Sequence, residues 1–480
     1  MTDAYETLEM LIDGRWTSGT SGETRNVENP ATEEVLGALP LASSADLDEA
    51  LAASQRGFEV WRDTPALKRQ KVMEDAARLL EERGDAIARD LTRDMGKPVG
   101  EAKLELGFAI DVLRWYGEEG KRMYGRIVPS RVPGLRQLVM KEPVGPCLAF
   151  VAWNFPATNV IRKVAGALGA GCSITIKPSE ETPSTAIAIG RALMDAGLPA
   201  GVLNIVFGEP AEVSSHLMAS PVAKKMSFTG SVEVGKHLQR LSADTLKRTT
   251  LELGGHAPVL VFADADIEGV AKTTAAGKFR NAGQVCISPS RFLVEEPARE
   301  RFTEAFVKAA EAIKVGNGLE EGVGMGPLIA ARRIDVMDGF VQDAVDKGAR
   351  VVTGGQRIGN RGHYFAPTVI ADATDDMRIM NEEPFGPLAP IAGFADREEA
   401  IERANRLPFG LAAYAFSKDA ETIRALADGV ESGMVGINSM MVSTAETPFG
   451  GINDSGYGSE GGIEGLEAFT RTRLIMEMMG

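Results

Sequence analysis

The 480-residue chain is acidic, with a formal net charge of −15 and a pI near 5.0, which disfavours nucleic acid and anionic membranes as binding partners. Apolar residues make up 44% of the chain and charged residues 25%, as in ordinary soluble proteins, and the length predicts two or three domains. The N-terminal MTDAYETLEMLIDG does not resemble a signal peptide, and no apolar run of about 18 residues predicts a membrane span.

Cysteine and histidine are sparse. The cysteines Cys147, Cys172 and Cys286 are odd in number and far apart, which argues against a disulfide framework and favours a cytoplasmic location. The four histidines are scattered and form no HExxH motif, and the chain has no CxxC motif. We therefore expect no metal site.

The first 145 residues predict a short β meander followed by helices. Strands are predicted at 11–14 and 34–39, and the apolar spacing over 45–116 is helical, with breaks at 63–65 and 96–98. Residues 125–141, GRIVPSRVPGLRQLVMK, predict a β-hairpin around a Pro-Gly turn. Such a projecting hairpin more often packs on a neighbour than carries chemistry.

Strand–helix alternation begins near Val144. Predicted strands at 147–152, 173–177, 203–207 and 225–228 have helices between them, and Thr182 and Pro183 supply an N-cap and a first-turn proline for one helix. This pattern predicts a doubly wound parallel sheet. Ligands of such sheets bind at the carboxyl ends of the strands.

The alternation resumes after Glu252. Predicted strands lie at 259–261, 292–294, 351–352, 390–392, 413–416 and 435–438. We infer a second α/β domain, with the boundary near Glu252. The tail, 473–478, is predicted to be a strand that pairs outside its own domain.

The segment FTGSVEVGKH, 228–237, nearly matches a triphosphate-binding loop. Gly230, Gly235 and Lys236 have the required spacing, but His237 stands where a magnesium-binding hydroxyl is needed. A nucleoside triphosphatase is therefore a weak alternative. A glycine and Ser231 before a helix still suit a pyrophosphate, so a dinucleotide fits better.

The segment IKPSEETP, 176–183, follows a predicted strand at the place where an adenosine ribose would lie. The Glu180 carboxylate can accept hydrogen bonds from both ribose hydroxyls and would repel a 2′-phosphate, which favours NAD over NADP. A solvated loop is the alternative.

Two further segments present carboxylates. In TLELGG, 250–255, Glu252 lies in an apolar strand, where burial would raise its pKa and suit it to act as a general base. A structural ion pair is the alternative. In EEPFGP, 382–387, a carboxylate and an aromatic ring could bracket the nicotinamide side of a cofactor.

The segment KFRNAGQVCISP, 278–289, contains Cys286. A lone cysteine is usually buried filler, but Gly283 permits close backbone approach, and Asn281 and Gln284 are unusual on a packed apolar face. Cys286 is therefore a candidate nucleophile, if the rest of the chain activates it.

The order of WNFP, KPSE, FTGS, LELGG, GQVC, EEPFGP, PFGG and SGYG across most of the chain resembles the aldehyde dehydrogenase superfamily. The resemblance implies a Rossmann-like cofactor domain, a second α/β catalytic domain and a small β hairpin. The expected bounds are 1–123 and 142–251, with 447–466, for the cofactor domain and 252–446 for the catalytic domain. Segments 124–141 and 467–480 would form a homodimer or homotetramer.

By this resemblance Cys286 is the nucleophile, Glu252 the general base and Asn154 the oxyanion donor beside the Cys286 N–H, and Lys177 belongs to both the catalytic and the cofactor groups. The implied reaction adds the thiolate to an aldehyde, passes hydride to the nicotinamide and hydrolyses the resulting thioester. Matching or adjacent cofactor positions are Trp153, Asn154, Lys177, Pro178, Ser179, Glu180, Gly230, Ser231, Leu253, Glu383 and Phe385.

Two arginines suggest which aldehyde is used. Arg162 lies about two helical turns beyond Phe155 on nearly the same face, and Arg280 lies six residues before Cys286, so together they could clamp a substrate carboxylate. Both, with Ser443, match the succinate-semialdehyde dehydrogenase subfamily. The resemblance therefore implies succinic semialdehyde, with glutaric semialdehyde close behind.

The sequence also departs from that subfamily. Ser288 stands where some members have a second cysteine, so we expect no disulfide switch, and we have no physical account of Asn453 where lysine is common. An acylating enzyme that uses coenzyme A fits poorly with Glu252 as a hydrolytic base. The open alternatives are a broad aliphatic or aromatic aldehyde dehydrogenase, with solvated or salt-bridged arginines, and a non-catalytic scaffold such as a lens crystallin.

Overall fold

The computed structural model describes residues 5–479 and contains two large sheets, the first built mainly from strands up to Glu252 and the second from strands after it. The strands before that residue are β1 Met10–Ile12, β2 Arg15–Thr17, β3 Thr24–Glu28, β4 Val35–Pro40, β5 Arg126–Val128, β6 Leu135–Pro143, β7 Cys147–Phe150, β8 Ile174–Lys177, β9 Leu203–Ile205, β10 Lys225–Thr229 and β11 Arg248–Glu252. The strands after it are β12 Pro258–Val261, β13 Arg291–Glu295, β14 Arg350–Thr353, β15 Thr368–Ala371, β16 Leu388–Phe394, β17 Phe409–Gly410, β18 Ala412–Phe416, β19 Met434–Ile437, β20 Ile452–Asn453, β21 Gly456–Tyr457 and β22 Thr470–Met478.

Helices cover both large sheets. The first eight are α1 Ser44–Arg62, α2 Ala66–Glu82, α3 Gly84–Met95, α4 Val99–Glu119, α5 Pro156–Ala170, α6 Ser184–Asp195, α7 Pro210–Ala219 and α8 Val232–Ala243. The remainder are α9 Ile267–Phe279, α10 Glu296–Glu311, α11 Arg332–Asp346, α12 Arg397–Asn405, α13 Ala420–Gly429 and α14 Gly462–Glu467, with 3₁₀ turns at Gly120–Arg122, Arg280–Gly283 and Arg378–Met380. The predicted breaks at 63–65 and 96–98 are confirmed.

The first sheet has the strand order β2-β1-β9-β8-β7-β10-β11-β21. Its five central strands run parallel, and their apolar residues are buried because helices cover both faces. The register pairs Phe150 with both Lys177 and Phe228, and Thr229 with Glu252. The chemistry-bearing ends of four neighbouring strands therefore meet at one edge of the sheet.

The second sheet has the order β14-β15-β16-β13-β12-β18-β19 and is parallel except for β14. The predicted hairpin forms β5 and β6, and the tail strand β22 pairs antiparallel with β6 from Thr470↔Pro143 to Met478↔Leu135. The predicted α/β architecture with a small β hairpin is confirmed.

Two local predictions are wrong. The N-terminal strands form no single meander, because β1 joins the first large sheet through β9 while β4 pairs with β3. Thr182 does not cap α6, since its hydroxyl donates to the carbonyl of Trp153 and Pro183 holds the N-cap position.

No helix in residues 5–479 is long and apolar enough to cross a membrane. Over the same residues, no group of three His, Cys, Asp or Glu side chains is placed to hold a metal ion.

Candidate active site

A cavity of about 760 Å³ lies between the edge of the first sheet and the loops of the second. It brings together most of the sequence-predicted site residues, which are Trp153, Asn154, Arg162, Gly230, Ser231, Glu252, Leu253, Arg280, Cys286, Glu383, Phe385 and Ser443. Lys177, Pro178, Ser179 and Glu180 lie outside the cavity lining, at the end of β8 beside β7.

The loop that carries Cys286 leaves α9 through three consecutive residues with left-handed backbones. Asn281 and Ala282 have φ near +50° and +53°, which side chains rarely tolerate, and Gly283 has φ near +72°. A Cβ at Gly283 would lie 2.1 Å from the carbonyl oxygen of Gly386, so glycine is required there. The amide of Gln284 braces the loop, donating to the Asn281 carbonyl (3.1 Å) and accepting from the Ile329 N–H (2.9 Å).

Cys286 is partly buried at the cavity wall, and its thiol is poorly ionised near neutral pH. Burial, with smaller contributions from Glu383 and Glu252, raises the pKa of its thiol to about 12. Arg162 and the backbone N–H of Cys286 itself lower the pKa of the thiol. The thiol therefore needs additional positive charge nearby before it can act as a nucleophile near neutral pH.

Asn154 lies two residues before α5, and both the nitrogen and the oxygen of its side-chain amide are hydrogen-bonded. Its Nδ2 donates to the carbonyl of Gln284 (3.1 Å), and its Oδ1 accepts from Asn159 Nδ2 (3.3 Å). An amide NH₂ has two donors, and within residues 5–479 no second acceptor is bonded to this one. The remaining N–H is available to an oxyanion in the cavity.

Glu252 ends β11 and is 3% exposed, and neither of its carboxyl oxygens has a hydrogen-bond partner within residues 5–479. Burial first, and then Glu460, raises its pKa well above the usual value, while Lys163 and Arg162 act against the shift. The buried setting is the one that the sequence predicts for Glu252, and its role as a general base stays a prediction. The alternative of a structural ion pair is wrong for this carboxyl group.

Arg162 projects from α5 and is 5% exposed. Its Nη2 donates to Ser443 Oγ (2.7 Å), and its guanidinium lies 4.0 Å from the ring centre of Phe449 and 5.3 Å from that of Phe108. It forms no ion pair within residues 5–479, and its Nε is buried without a partner. A solvated or salt-bridged Arg162 is therefore excluded.

Arg280 differs from Arg162 in its surroundings. It is exposed at the cavity rim, and its guanidinium lies 5.4 Å from the ring centre of Phe155. The solvated alternative consequently stays open for Arg280.

The predicted cofactor residues flank the first sheet's edge. Lys177 Nζ lies 2.6 Å from Glu180 Oε1, which also accepts from the Gly208 N–H (3.1 Å), and both charged side chains are buried. A solvated loop at this position is therefore wrong. Ser231 is the N-cap of α8 but forms no side-chain cap, which leaves the first N–H groups of the helix open to an anion such as a pyrophosphate.

The opposite end of the predicted cofactor site is aromatic and acidic. The rings of Trp153 and Phe385 meet edge to face with centres 5.5 Å apart. Glu383 accepts from the Gly255 N–H (3.3 Å), and burial raises its pKa to about 8. The donors, carboxylates and rings along this groove fit a nicotinamide dinucleotide.

Several cavity residues were missed by sequence reasoning. They are Lys97, Glu105, Phe108, Arg333, Phe449 and Glu460. Lys97 and Glu105 form a buried ion pair (2.5 Å), as do Lys163 and Glu460 (2.7 Å). For Glu105 the available signal was a charged residue on the apolar face of a predicted helix. Long-range pairing, such as that with Lys97, leaves no trace in local spacing.

Comparison with known proteins identifies the family of this chain. The model of the aldehyde dehydrogenase family matches residues 16–475. The chain belongs to the aldehyde dehydrogenase family. It is an oxidoreductase that oxidises aldehydes with NAD or NADP, which confirms the family resemblance and the fold expected from it.

Three of its relatives bear on substrate and cofactor. The chain is 46% identical to 4-(hydroxymethyl)benzenesulfonate dehydrogenase TsaD1 from Comamonas testosteroni, over 99% of each chain. It is 39% identical to the NADP⁺-named succinate-semialdehyde dehydrogenase GabD of Escherichia coli K12, over 97% of each. The solved structure of betaine aldehyde dehydrogenase from Staphylococcus aureus, in complex with NAD⁺, superposes with a TM-score of 0.96 at 33% identity, covering 99% of this aldehyde dehydrogenase and 96% of that chain.

Proposed function

We propose that this aldehyde dehydrogenase oxidises a short aldehyde with an anionic end group, with succinic semialdehyde as the first candidate and succinate as its product. The proposal rests on the burial of Arg162. A guanidinium at 5% exposure that forms no ion pair within residues 5–479 is costly unless an anion joins it. A substrate carboxylate in the cavity supplies that anion.

The surroundings of Arg162 favour a planar or multi-oxygen anion. Phe449 and Phe108 lie close to its guanidinium, and Ser443 fixes one of its terminal nitrogens. A fixed guanidinium recognises carboxylate or sulfonate oxygens through charge-assisted hydrogen bonds. Arg280 at the rim is the second member of the proposed clamp.

The covalent chemistry is assigned to three residues. The Cys286 thiol gives up its proton to solvent, and its sulfur then bonds to the aldehyde carbon as the carbonyl π bond opens to an oxyanion. The free Asn154 N–H and the Cys286 N–H stabilise that oxyanion. A bound nicotinamide dinucleotide supplies the hydride acceptor, and loss of hydride from the adduct leaves a thioester on Cys286. Glu252 takes a proton from water, whose oxygen attacks the thioester and releases the carboxylic acid with the thiol restored.

The cofactor is proposed to be NAD⁺, with NADP⁺ less favoured. Lys177, Glu180 and Ser231 would hold its adenosine and pyrophosphate side, with Pro178, Ser179 and Gly230 beside them. Trp153, Leu253, Glu383 and Phe385 would contact the nicotinamide side. The catalytic role expected for Lys177 stays a prediction, because it is paired with Glu180 away from the thiol cavity.

A sulfonated aldehyde is a second candidate. The relative at 46% identity is named for a benzenesulfonate, and a sulfonate offers Arg162 the same negative oxygens. The aromatic wall formed by Phe108 and Phe449 would also suit a ring between the aldehyde and the anion. Glutaric semialdehyde and a broad range of uncharged aldehydes are further candidate substrates.

The test compares kcat/KM for succinic semialdehyde, 4-sulfobenzaldehyde and butanal in the wild type, Arg162→Met and Arg280→Ala. Loss of the buried Arg162 contact costs about 2–5 kcal/mol, or some tens to thousands of fold, for the charged substrates only, and loss of the exposed Arg280 costs less. Lys236→Met is the matched control, because Lys236 is an exposed cation that pairs with Asp454. Equal rates for butanal and both anions in all proteins would refute an anion clamp.

A homodimer or homotetramer in the cytoplasm is also proposed. The three-stranded sheet β5–β6–β22 exposes Ile127 and Met140 on one face, and on the other face Leu474, Met476 and Met478 form an exposed apolar patch along β22. Such a patch on a free surface is typical of a protein interface. Light scattering after gel filtration of the wild type and of Leu474→Glu tests this, and a wild-type monomer would refute it.

A further inference from the structure

A buried ion pair lies beneath the proposed oxyanion site. Lys97 follows α3, Glu105 belongs to α4, and both side chains are about 1% exposed while lining the cavity wall. The Lys97 Nζ lies 2.5 Å from Glu105 Oε2. The reaction proposed above uses neither residue.

Each oxygen of Glu105 and the ammonium of Lys97 are already bonded. The Lys97 ammonium also donates to the Asn154 carbonyl oxygen (2.8 Å) and lies 3.9 Å from the ring centre of Phe155, which accounts for its three N–H groups. The other oxygen of Glu105 accepts from the N–H groups of Ala157 (2.8 Å) and Thr158 (3.2 Å). Direct substrate binding or proton transfer is therefore disfavoured for both residues.

The contacts converge on Asn154. Its carbonyl accepts from Lys97 and from Asn281 Nδ2 (3.0 Å) in the Cys286 loop, and its side chain donates to Gln284 in the same loop. Glu105 in turn caps the first turn of α5, whose start follows Asn154. The ion pair thus fixes the backbone of Asn154 relative to the loop that carries the thiol.

We propose that Lys97 and Glu105 are positioning residues that hold the Asn154 amide in register with the Cys286 sulfur. This inference rests on the proposed role of Asn154 as oxyanion donor. A fully bonded polar network is rigid, and a displacement of about 1 Å in a catalytic group can lower the rate about 100-fold. The pair would act on the chemical step and leave cofactor binding alone.

The first experiment measures kcat, the aldehyde KM and the Kd for NAD⁺ in Lys97→Met. We expect kcat to fall about 10- to 100-fold, with the KM and the Kd within about twofold of the wild type. Lys103→Met is the control, because that lysine pairs with Asp85 on the surface and is 54% exposed. An unchanged kcat, or a loss explained by the Kd for NAD⁺, would overturn the proposal.

Because an unpaired buried Glu105 can prevent folding, the same measurements are made on Lys97→Met/Glu105→Gln. This variant removes both charges and keeps an oxygen to cap α5, and we expect the same fall in kcat. A folded double variant with wild-type kcat would contradict a positioning role.

A double-mutant cycle with Asn154→Ala identifies the residue through which Lys97 acts. If Lys97 works through the Asn154 side chain, Lys97→Met lowers kcat much less in the Asn154→Ala background than in the wild type. An undiminished effect would overturn the inference. A wild-type rate for Asn154→Ala alone would instead refute the proposed oxyanion donor, so the two failures are distinguishable.

Discussion

Glu105 and Glu252 are buried carboxyl groups on one cavity, and their surroundings are opposite. Glu105 has an ammonium on one oxygen and two backbone N–H groups on the other, whereas Glu252 has no hydrogen-bond partner on either oxygen within residues 5–479. A satisfied group is rigid and inert, while an unsatisfied buried group keeps a raised pKa and free lone pairs. The difference separates the part of the site that holds geometry from the part that reacts.

The largest expected effect concerns turnover. Glu252→Gln should lower steady-state kcat about 100- to 10,000-fold, because the amide cannot take a proton from the hydrolytic water. The first turnover, followed as a burst of NADH, should remain. Loss of the burst together with kcat would place Glu252 in thioester formation instead, and would break the contrast with Glu105.

The free energy of unfolding should show the opposite order, with the larger effect at Glu105 and the smaller effect at Glu252. Glu105→Gln leaves the Lys97 ammonium buried without its counter-charge, and we expect a loss of about 3–5 kcal/mol in the free energy of unfolding. Glu252→Gln removes no bond within the described residues and should unfold no more easily than the wild type near neutral pH. Thermal unfolding of both variants measures this, and equal destabilisation would contradict the comparison.

The pH dependence of stability sharpens the point for Glu252. Its folded-state pKa is raised, so above about the unfolded value of 4.5 the unfolded chain releases a proton that the folded protein retains. The wild type should therefore lose stability relative to Glu252→Gln as pH rises from about 4.5, by at most about 1.4 kcal/mol per pH unit. A difference between the two proteins that is independent of pH would mean that the carboxyl group ionises normally.

Much of this molecule could be predicted from sequence. The central strands were found because a parallel sheet covered on both faces requires continuous apolar runs, as in 147–152. The short, exposed β2 and β3 carry no such signal. The motif order indicated Cys286, Glu252 and Asn154. It could not indicate that Glu252 lacks hydrogen-bond partners among the described residues, or that Lys97 pairs with Glu105. Both features arise from how distant segments pack together.

The next prediction concerns the reactivity of the Cys286 thiol, with an expected effect of about tenfold per pH unit. With a pKa near 12 in the cofactor-free protein, alkylation of Cys286 by iodoacetamide should accelerate about tenfold per pH unit from pH 7 to about 10, following the thiolate fraction. Cys286→Ser corrects for the buried Cys147 and Cys172. A plateau below pH 9 without cofactor would show that the thiol is already activated.

Glu180 is intermediate between Glu105 and Glu252 in its hydrogen bonding, because one of its oxygens contacts Lys177 and accepts from the Gly208 N–H. If its carboxylate repels a 2′-phosphate, Glu180→Ser should improve kcat/KM for NADP⁺ relative to NAD⁺ by about tenfold, the effect of roughly 1.4 kcal/mol. Rates of NADH and NADPH formation provide the ratio, and an unchanged preference would remove Glu180 from cofactor selection.

The most direct test of the contrast is the intact mass of Glu252→Gln after mixing with NAD⁺ and succinic semialdehyde. We expect a covalent acyl adduct that accumulates on Cys286, is absent from Cys286→Ser/Glu252→Gln, and does not build up in the wild type. Glu105→Gln, in which the base is intact, should show no accumulated adduct. A Glu252→Gln protein that turns over slowly without any adduct would contradict the assignment of the unpartnered carboxyl group as the hydrolytic base.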